Sequence, residues 1–288
     1  MVPELIVVQH VGYIGDRETL FCSHPLAERN MSSSLILSKM IRKLNARVEL
    51  NSADCDAILA LPFVLQSYDA PNYIAREGER GRSVCSFVVD GLAIRQKLTA
   101  IGARQIVAIH MTGDFLDLQD LFLNRAAYGV QALTHIETAE IDRRALQALT
   151  LERPNVGRAM WIDALVDASI FQEWVVNVGR RDARSRVAHL LCEFSLRMRY
   201  AGIAEENSYD LPMTQEQLGD AVGLTSVHVN RTLKSLTAEG LIERDKRHIR
   251  LVDWDRISAV GDFDALYLHL DQASPRIETA RAEARRDR

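Results

Sequence analysis

The alternation of apolar and polar positions changes its period along the chain. Before residue 31 there is no clear amphipathic repeat, and Asp16-Arg17-Glu18 reads as loop. From Met31 onward Leu35, Ile36, Met40, Ile41 and Leu44 fall near helical spacing and predict a helix. Between about Gln66 and Ile141 the period drops to two. Ser83–Asp90, Leu92–Leu98, Gln105–Met111 and Val130–Ile141 read as strands, with Gly78, Gly81, Gly91, Gly102, Gly113 and Gly129 at the turns. Short strands punctuated by glycine predict a small antiparallel barrel or roll.

A long helix is predicted next, from about Asn155 to Asn177. Its apolar residues cover most of the circumference and leave a narrow polar stripe through Asp163, Asp167, Glu173 and Asn177. A helix apolar nearly all round must be covered on more than one side. One side can pack on the roll, and the other asks for a second copy of the chain. Met160, Leu165, Ile170, Trp174 and Val178 are the candidate interface residues. Asp182 is a plausible N-cap for another helix reaching about Arg199, which buries Val187, Leu190, Leu191, Phe194 and Leu196.

Residues 213–242 read MTQEQLGDAVGLTSVHVNRTLKSLTAEGLI. Thr214 can cap a first short helix with Leu218 and Val222 on its buried side. Gly223 supplies the tight turn, and Thr225 caps a second helix that buries Val229, Leu233 and Leu236. The outer face of that second helix carries Ser226, Val227, Asn230, Arg231 and Lys234. Leu241–Arg244 and His248–Val252 then form a hairpin around Asp245-Lys246-Arg247. This is the pattern of a winged helix-turn-helix: one helix for the major groove and a basic wing tip for phosphate.

Composition narrows the alternatives. The 288 residues are 47% apolar and 26% charged, with a net charge of −4, so any contact with nucleic acid must come from a local basic patch. Cys22, Cys55, Cys85 and Cys192 are scattered without metal-type spacing, which with the chain's length points to a reducing cytoplasm. Cys192 falls on the apolar side of its helix as a buried thiol, with a redox role as the rival reading. No apolar run approaches the ~20 residues of a bilayer span. A metalloenzyme on a β-roll would need clustered His and carboxylate ligands, and neither H-x-H nor H-E-x-x-H occurs. His110 and His135 read as ordinary strand histidines rather than haem ligands. Arg180-Arg181 and Arg285-Arg286 read as solvated charge.

QEQLGDAVGLTSVHVNRTLKSL and the Gly113-Asp114-Phe115 turn carry a resemblance to the Crp/Fnr family of transcription regulators, extending over most of residues 31–255. The resemblance implies an α+β fold with an antiparallel β-roll sensor domain, a long dimerisation helix and a C-terminal winged helix-turn-helix. The corresponding divisions are 1–30, an N-terminal extension; 31–153, the roll; 154–180, the dimer helix and hinge; 181–260, the DNA-binding domain; and 261–288, a tail. Met31 reads either as the native start or as the end of a poorly ordered arm.

The same likeness implies base contacts from Ser226, Val227, Asn230 and Arg231, with Arg231 on guanine. It implies phosphate contacts from Thr214, Thr225, His228, Lys234, Lys246 and Arg247. Where family members often carry a glutamate, this chain has Val227, which cannot accept from cytosine but can touch a thymine methyl. The partners implied are double-stranded DNA and a second copy of the chain, with RNA polymerase as a further one and no membrane. Leu116, Leu118, Phe122, Arg125, Ala126, Ala127 and Tyr128 are the residues expected around an effector. The positions that hold ribose and cyclic phosphate in cyclic-AMP-binding relatives fall on Leu118, Ala126 and Ala127, so cyclic AMP is not expected to bind. No cofactor is implied. The rival reading is a ligand-sensing regulatory module without DNA affinity.

Overall fold

The computed structural model describes residues 26–79, 82–205 and 207–270. The extension before residue 26, Cys22, the tail beyond 270 and Arg285-Arg286 lie outside them. Helix α1 (Leu26–Asn45) begins ahead of Met31 and runs through it. Helix α2 (Ser52–Leu59), absent from the sequence reading, is opened by a reciprocal cap between Asn51 and Asp54.

Two antiparallel sheets make the roll. In one, β7 (Ile136–Asp142) lies between β1 (Phe63–Tyr68) and β3 (Val84–Asp90). In the other the order is β2 (Tyr73–Ala75), β6 (Gly129–Ala132), β4 (Leu92–Leu98) and β5 (Arg104–Met111). The strand expected over 130–141 is therefore two strands in different sheets. The chain changes sheets at Leu133-Thr134-His135, where Thr134 accepts from the Leu92 amide at 3.0 Å. Gly91 turns at φ +91°, and a Cβ there would lie 2.3 Å from the His135 carbonyl, so only glycine fits.

Helix α3 (Arg143–Glu152) leads into α4 (Pro154–Arg180), and Asp182 caps α5 (Ala183–Tyr200) by accepting from the Ser185 amide at 2.8 Å. One apolar cluster joins Ile94, Ile106 and Ile109 of the second sheet to Ile170 and Trp174 of α4, and on to Leu191, Phe194 and the C-terminal helices. The first sheet packs with α1, α3 and the start of α4 around Met40, Phe87 and Met160. No described helix is long and apolar enough to cross a membrane.

Helix α4 corrects the sequence reading. Its polar stripe is paired within the chain: Asp163 with Arg47 at 3.2 Å, Asp167 with Arg95 at 2.9 Å and Glu173 with Arg181 at 2.6 Å. Arg181 is consequently enclosed and paired, not solvated, whereas Arg180 is exposed. Three proposed interface residues are also inward: Met160, Ile170 and Trp174 are buried in the same chain, and Val178 is half-buried. Trp174 is held there by its indole N–H, which donates to Glu193 at 2.9 Å. The solvent face is instead Trp161, Leu165, Ala168, Gln172 and Val175, flanked by Phe171 and Val176. Only Leu165 belongs to both sets.

Candidate nucleic-acid interface

The C-terminal part is built from local signals. Thr214 caps α6 (Gln215–Val222) through a reciprocal bond pair with Gln217, and Thr225 caps α7 (Ser226–Ala238) by accepting from the His228 amide. Between them Gly223 sits at φ +67°, in the left-handed region that ends a helix cheaply only for glycine. Arg186 of α5 donates to the free carbonyls of Val222 and Gly223 at 3.2 and 3.4 Å, which satisfies the end of α6. Val229, Leu233 and Leu236 of α7 are buried.

What remains outside is one concave surface lined by Gln215, Ser226, Val227, Asn230, Arg231 and Lys234. Val227 is 75% exposed, and Ser226, His228, Arg231 and Lys234 are exposed as well. Asn230 is half-buried. Beside α7 stands a three-stranded wing in the order β8 (Ser208–Asp210), β10 (His248–Leu251), β9 (Ile242–Asp245). Strand β8 adds a third strand to the hairpin that the sequence predicts. Lys246 and Arg247 form the exposed tip, with Lys246 at φ +51°. This surface carries cations and amides and no buried acid, which suits an anionic, hydrogen-bonding groove.

The seven residues expected around an effector are not brought together. Leu116 and Tyr128 are packed into the roll's interior, and Ala126 is buried. Phe122, Arg125 and Ala127 are exposed. The reason is that the chain fills this space itself. The Arg95 guanidinium lies 4.4 Å from the Tyr128 ring centre, donates to the Leu116 carbonyl at 2.7 Å and pairs with Asp167. Deeper in, the buried Asp117 accepts from the Ser86 amide at 2.7 Å and from the Cys85 thiol at 3.2 Å, with Arg82 at 3.4 Å. Burial pushes the Asp117 carboxyl and the Cys85 thiol upward from their ordinary values. Cys192 is wholly buried, and burial pushes its thiol up to about 12.

Two further contacts tie the winged helix to the roll. Arg104 of β5 pairs with Asp220 of α6 at 2.6 Å, and Arg197 of α5 donates to the Ile109 carbonyl at 2.6 Å. Arg197 also reaches Asp114, at 3.3 Å, where Lys43 of α1 arrives at 2.7 Å. Burial would raise the Asp114 carboxyl, but the two cations outweigh it and hold the group well below the usual carboxylate range.

A roll of this topology joined through one long helix to a winged helix-turn-helix defines a class of DNA-binding regulators with an N-terminal sensor module. Family models agree on both halves: residues 65–153 match the cyclic nucleotide-binding domain, and residues 185–260 match the Crp-like helix-turn-helix domain. The chain belongs to the Crp/Fnr family of transcription regulators. It is 29% identical over 196 residues to the transcriptional activator protein FnrL of Cereibacter sphaeroides, covering 67% of this chain and 78% of that protein. It is 28% identical over 174 residues to the nitrogen fixation regulation protein FixK of Bradyrhizobium diazoefficiens, covering 60% and 72%. The solved structure of FixK2 from Bradyrhizobium japonicum superposes with a TM-score of 0.65 at 26% identity, covering 71% of this chain and all of that one.

Proposed function

We propose that the protein is a sequence-specific transcription regulator that binds an inverted-repeat operator as a homodimer and does not respond to cyclic AMP. The observation that carries the DNA reading is the concave face of α7, where Ser226, Val227, Asn230 and Arg231 stand side by side. In this reading α7 enters the major groove and Arg231 makes a two-bond contact with a guanine. Val227 meets a thymine methyl, while Thr214, Thr225, His228, Lys234 and the wing tip hold phosphates. The rival reading, a sensing module without DNA affinity, leaves that face without a purpose.

The dimer rests on the outer stripe of α4. Trp161, Leu165, Ala168, Gln172 and Val175 are spaced by four and three residues in turn, the repeat of a two-stranded coiled coil. Trp161 is 66% exposed and Val175 53%, an apolar strip that a lone chain would leave in water. A twofold axis along α4 puts two α7 helices on one face of DNA, with half-sites about 34–36 Å apart.

Selection of bound sequences from a random duplex pool tests the function directly. The expected product is an inverted repeat with guanine in each half-site. Arg231→Ala should then lose about 1–3 kcal/mol at the selected operator and accept other bases at one position. Equal losses on operator and random DNA would remove Arg231 from base reading.

A further inference from the structure

A cavity of about 840 Å³ opens where the roll, α1, α4 and α5 meet, and it shares only Leu118 with the residues expected around an effector. Its size is that of a small-molecule site. Met111, Phe115, Val166 and Ile170 give it an apolar wall. Around that wall stand six cations against three carboxylates.

Four of the cations are already paired: Lys43 and Arg197 with Asp114, Arg47 with Asp163, and Arg95 with Asp167. The other two, Lys39 and Arg42, have no carboxylate within salt-bridge distance among the described residues. Among the described residues Lys39 donates only to the Val89 carbonyl, at 2.8 Å. One wall also holds an unsatisfied group. His110 is 3% exposed, and its Nε2 has no hydrogen-bond partner among the described residues. That atom has almost no surface open to the cavity, so His110 shapes the wall without offering Nε2 to a ligand. Burial lowers the His110 pKa to about 4, so near neutral pH the imidazole adds no charge to the wall.

We propose that this cavity binds an organic anion, a carboxylate or phosphate ester on a compact apolar body, with Lys39 and Arg42 as its anchors. A consequence follows from who lines the cavity, and it rests on the DNA-binding reading above. Arg197 belongs to α5, the first helix after the Asp182 cap, and its guanidinium is what fastens that helix to the Ile109–Asp114 turn. An anion beside Lys43 and Arg197 competes with Asp114 for the same donors. Occupancy therefore acts on the contact that sets α5, and with it α7, against the roll. A ligand shifts such an equilibrium only by binding one arrangement better, and a cavity walled by both parts supplies that difference.

The test uses the full chain, with phenyl phosphate in one calorimetric arm, hexanoate in a second and neutral benzyl alcohol in a third. At least one anion is expected to bind while the alcohol does not, and the tighter arm tells phosphate ester from carboxylate. Lys39→Gln/Arg42→Gln should weaken that binding at least about tenfold, since charge-assisted contacts are lost. Neither side chain holds a described carboxylate, so the internal ion pairs survive. If the double variant fails to fold, Arg42→Gln alone, at an exposed side chain, gives the same comparison. Operator affinity measured with saturating anion should change at least about fivefold. The site is overturned if neither anion binds, or if wild type and variant bind alike. Binding without a change in operator affinity overturns the coupling. A protein that binds the anion but selects no operator would leave the cavity standing and remove the proposed function.

Discussion

Leu165→Asp should separate the dimer without unfolding the chain. Leu165 is 59% exposed, so covering its free part against a partner is worth about 1–2 kcal/mol. Twofold symmetry counts that contribution twice, giving about 2–4 kcal/mol per dimer. The dissociation constant should rise by about 30- to 1,000-fold, before any repulsion between two aspartates facing each other across the axis. Sedimentation equilibrium over a range of concentrations reads this shift. The informative comparison is Trp174→Phe, which removes the indole N–H from the buried Glu193. A bond to a charged group is worth about 1.5–3 kcal/mol, so this variant should lower the melting temperature and leave the association constant alone. If Leu165→Asp remained as dimeric as wild type while Trp174→Phe dissociated, the inward and outward faces of α4 would have been assigned the wrong way round.

Lys246→Ala and Arg247→Ala should weaken operator and random DNA alike. Each should also flatten the slope of log affinity against log salt by about 0.9, the signature of one lost phosphate contact. Isothermal titration with cyclic AMP should show no binding, because Leu116 and Tyr128 occupy the roll's interior; micromolar binding that raised DNA affinity would contradict this. Asp114 predicts an acid limb. Its folded pKa lies below the ordinary 3.8, so its contribution is fully present above about pH 4–5 and disappears as pH falls through the lower folded value. Asp117, raised by burial, works in the opposite sense. The difference in melting temperature between wild type and Asp114→Asn therefore isolates the effect: it should be large at pH 7 and shrink toward pH 2.

The winged helix was legible from the sequence because its determinants are local. Thr214 and Thr225 cap helices that begin at the next residue, and Gly223 and Lys246 mark turns that close within a few positions. The orientation of α4 was not legible, for the opposite reason. Asp163 and Asp167 find their partners only when Arg47, from the turn after α1, and Arg95 of β4 are brought to them. The apolar run Ile58–Leu65 hid the boundary between α2 and β1, although Asn51 and Asp54 carried a cap signal that could have exposed it. The cavity at Asp114 was likewise out of reach, since its cations come from α1 and the turn after it, from β4 and from α5. What sequence could mark there was the Gly113-Asp114-Phe115 turn, without the two helices that converge on its carboxylate.

Gly219 lies inside α6, and a Cβ at that position would stand 2.4 Å from the Leu224 carbonyl. No rotamer can relieve such a clash, because the obstacle is backbone. The distance between α6 and the start of α7 is thus set by an atom that is missing, and even the smallest side chain would wedge the two helices apart. Such a wedge would withdraw Ser226 and Arg231 together from the plane that Gln215 shares with them. On the proposed reading, base preference is retuned by exchanging outward residues such as Val227, which is 75% exposed, while the internal spacing tolerates no exchange. By that reading new operator preferences are open to this protein through surface substitution, and the turn between α6 and α7 is closed to it.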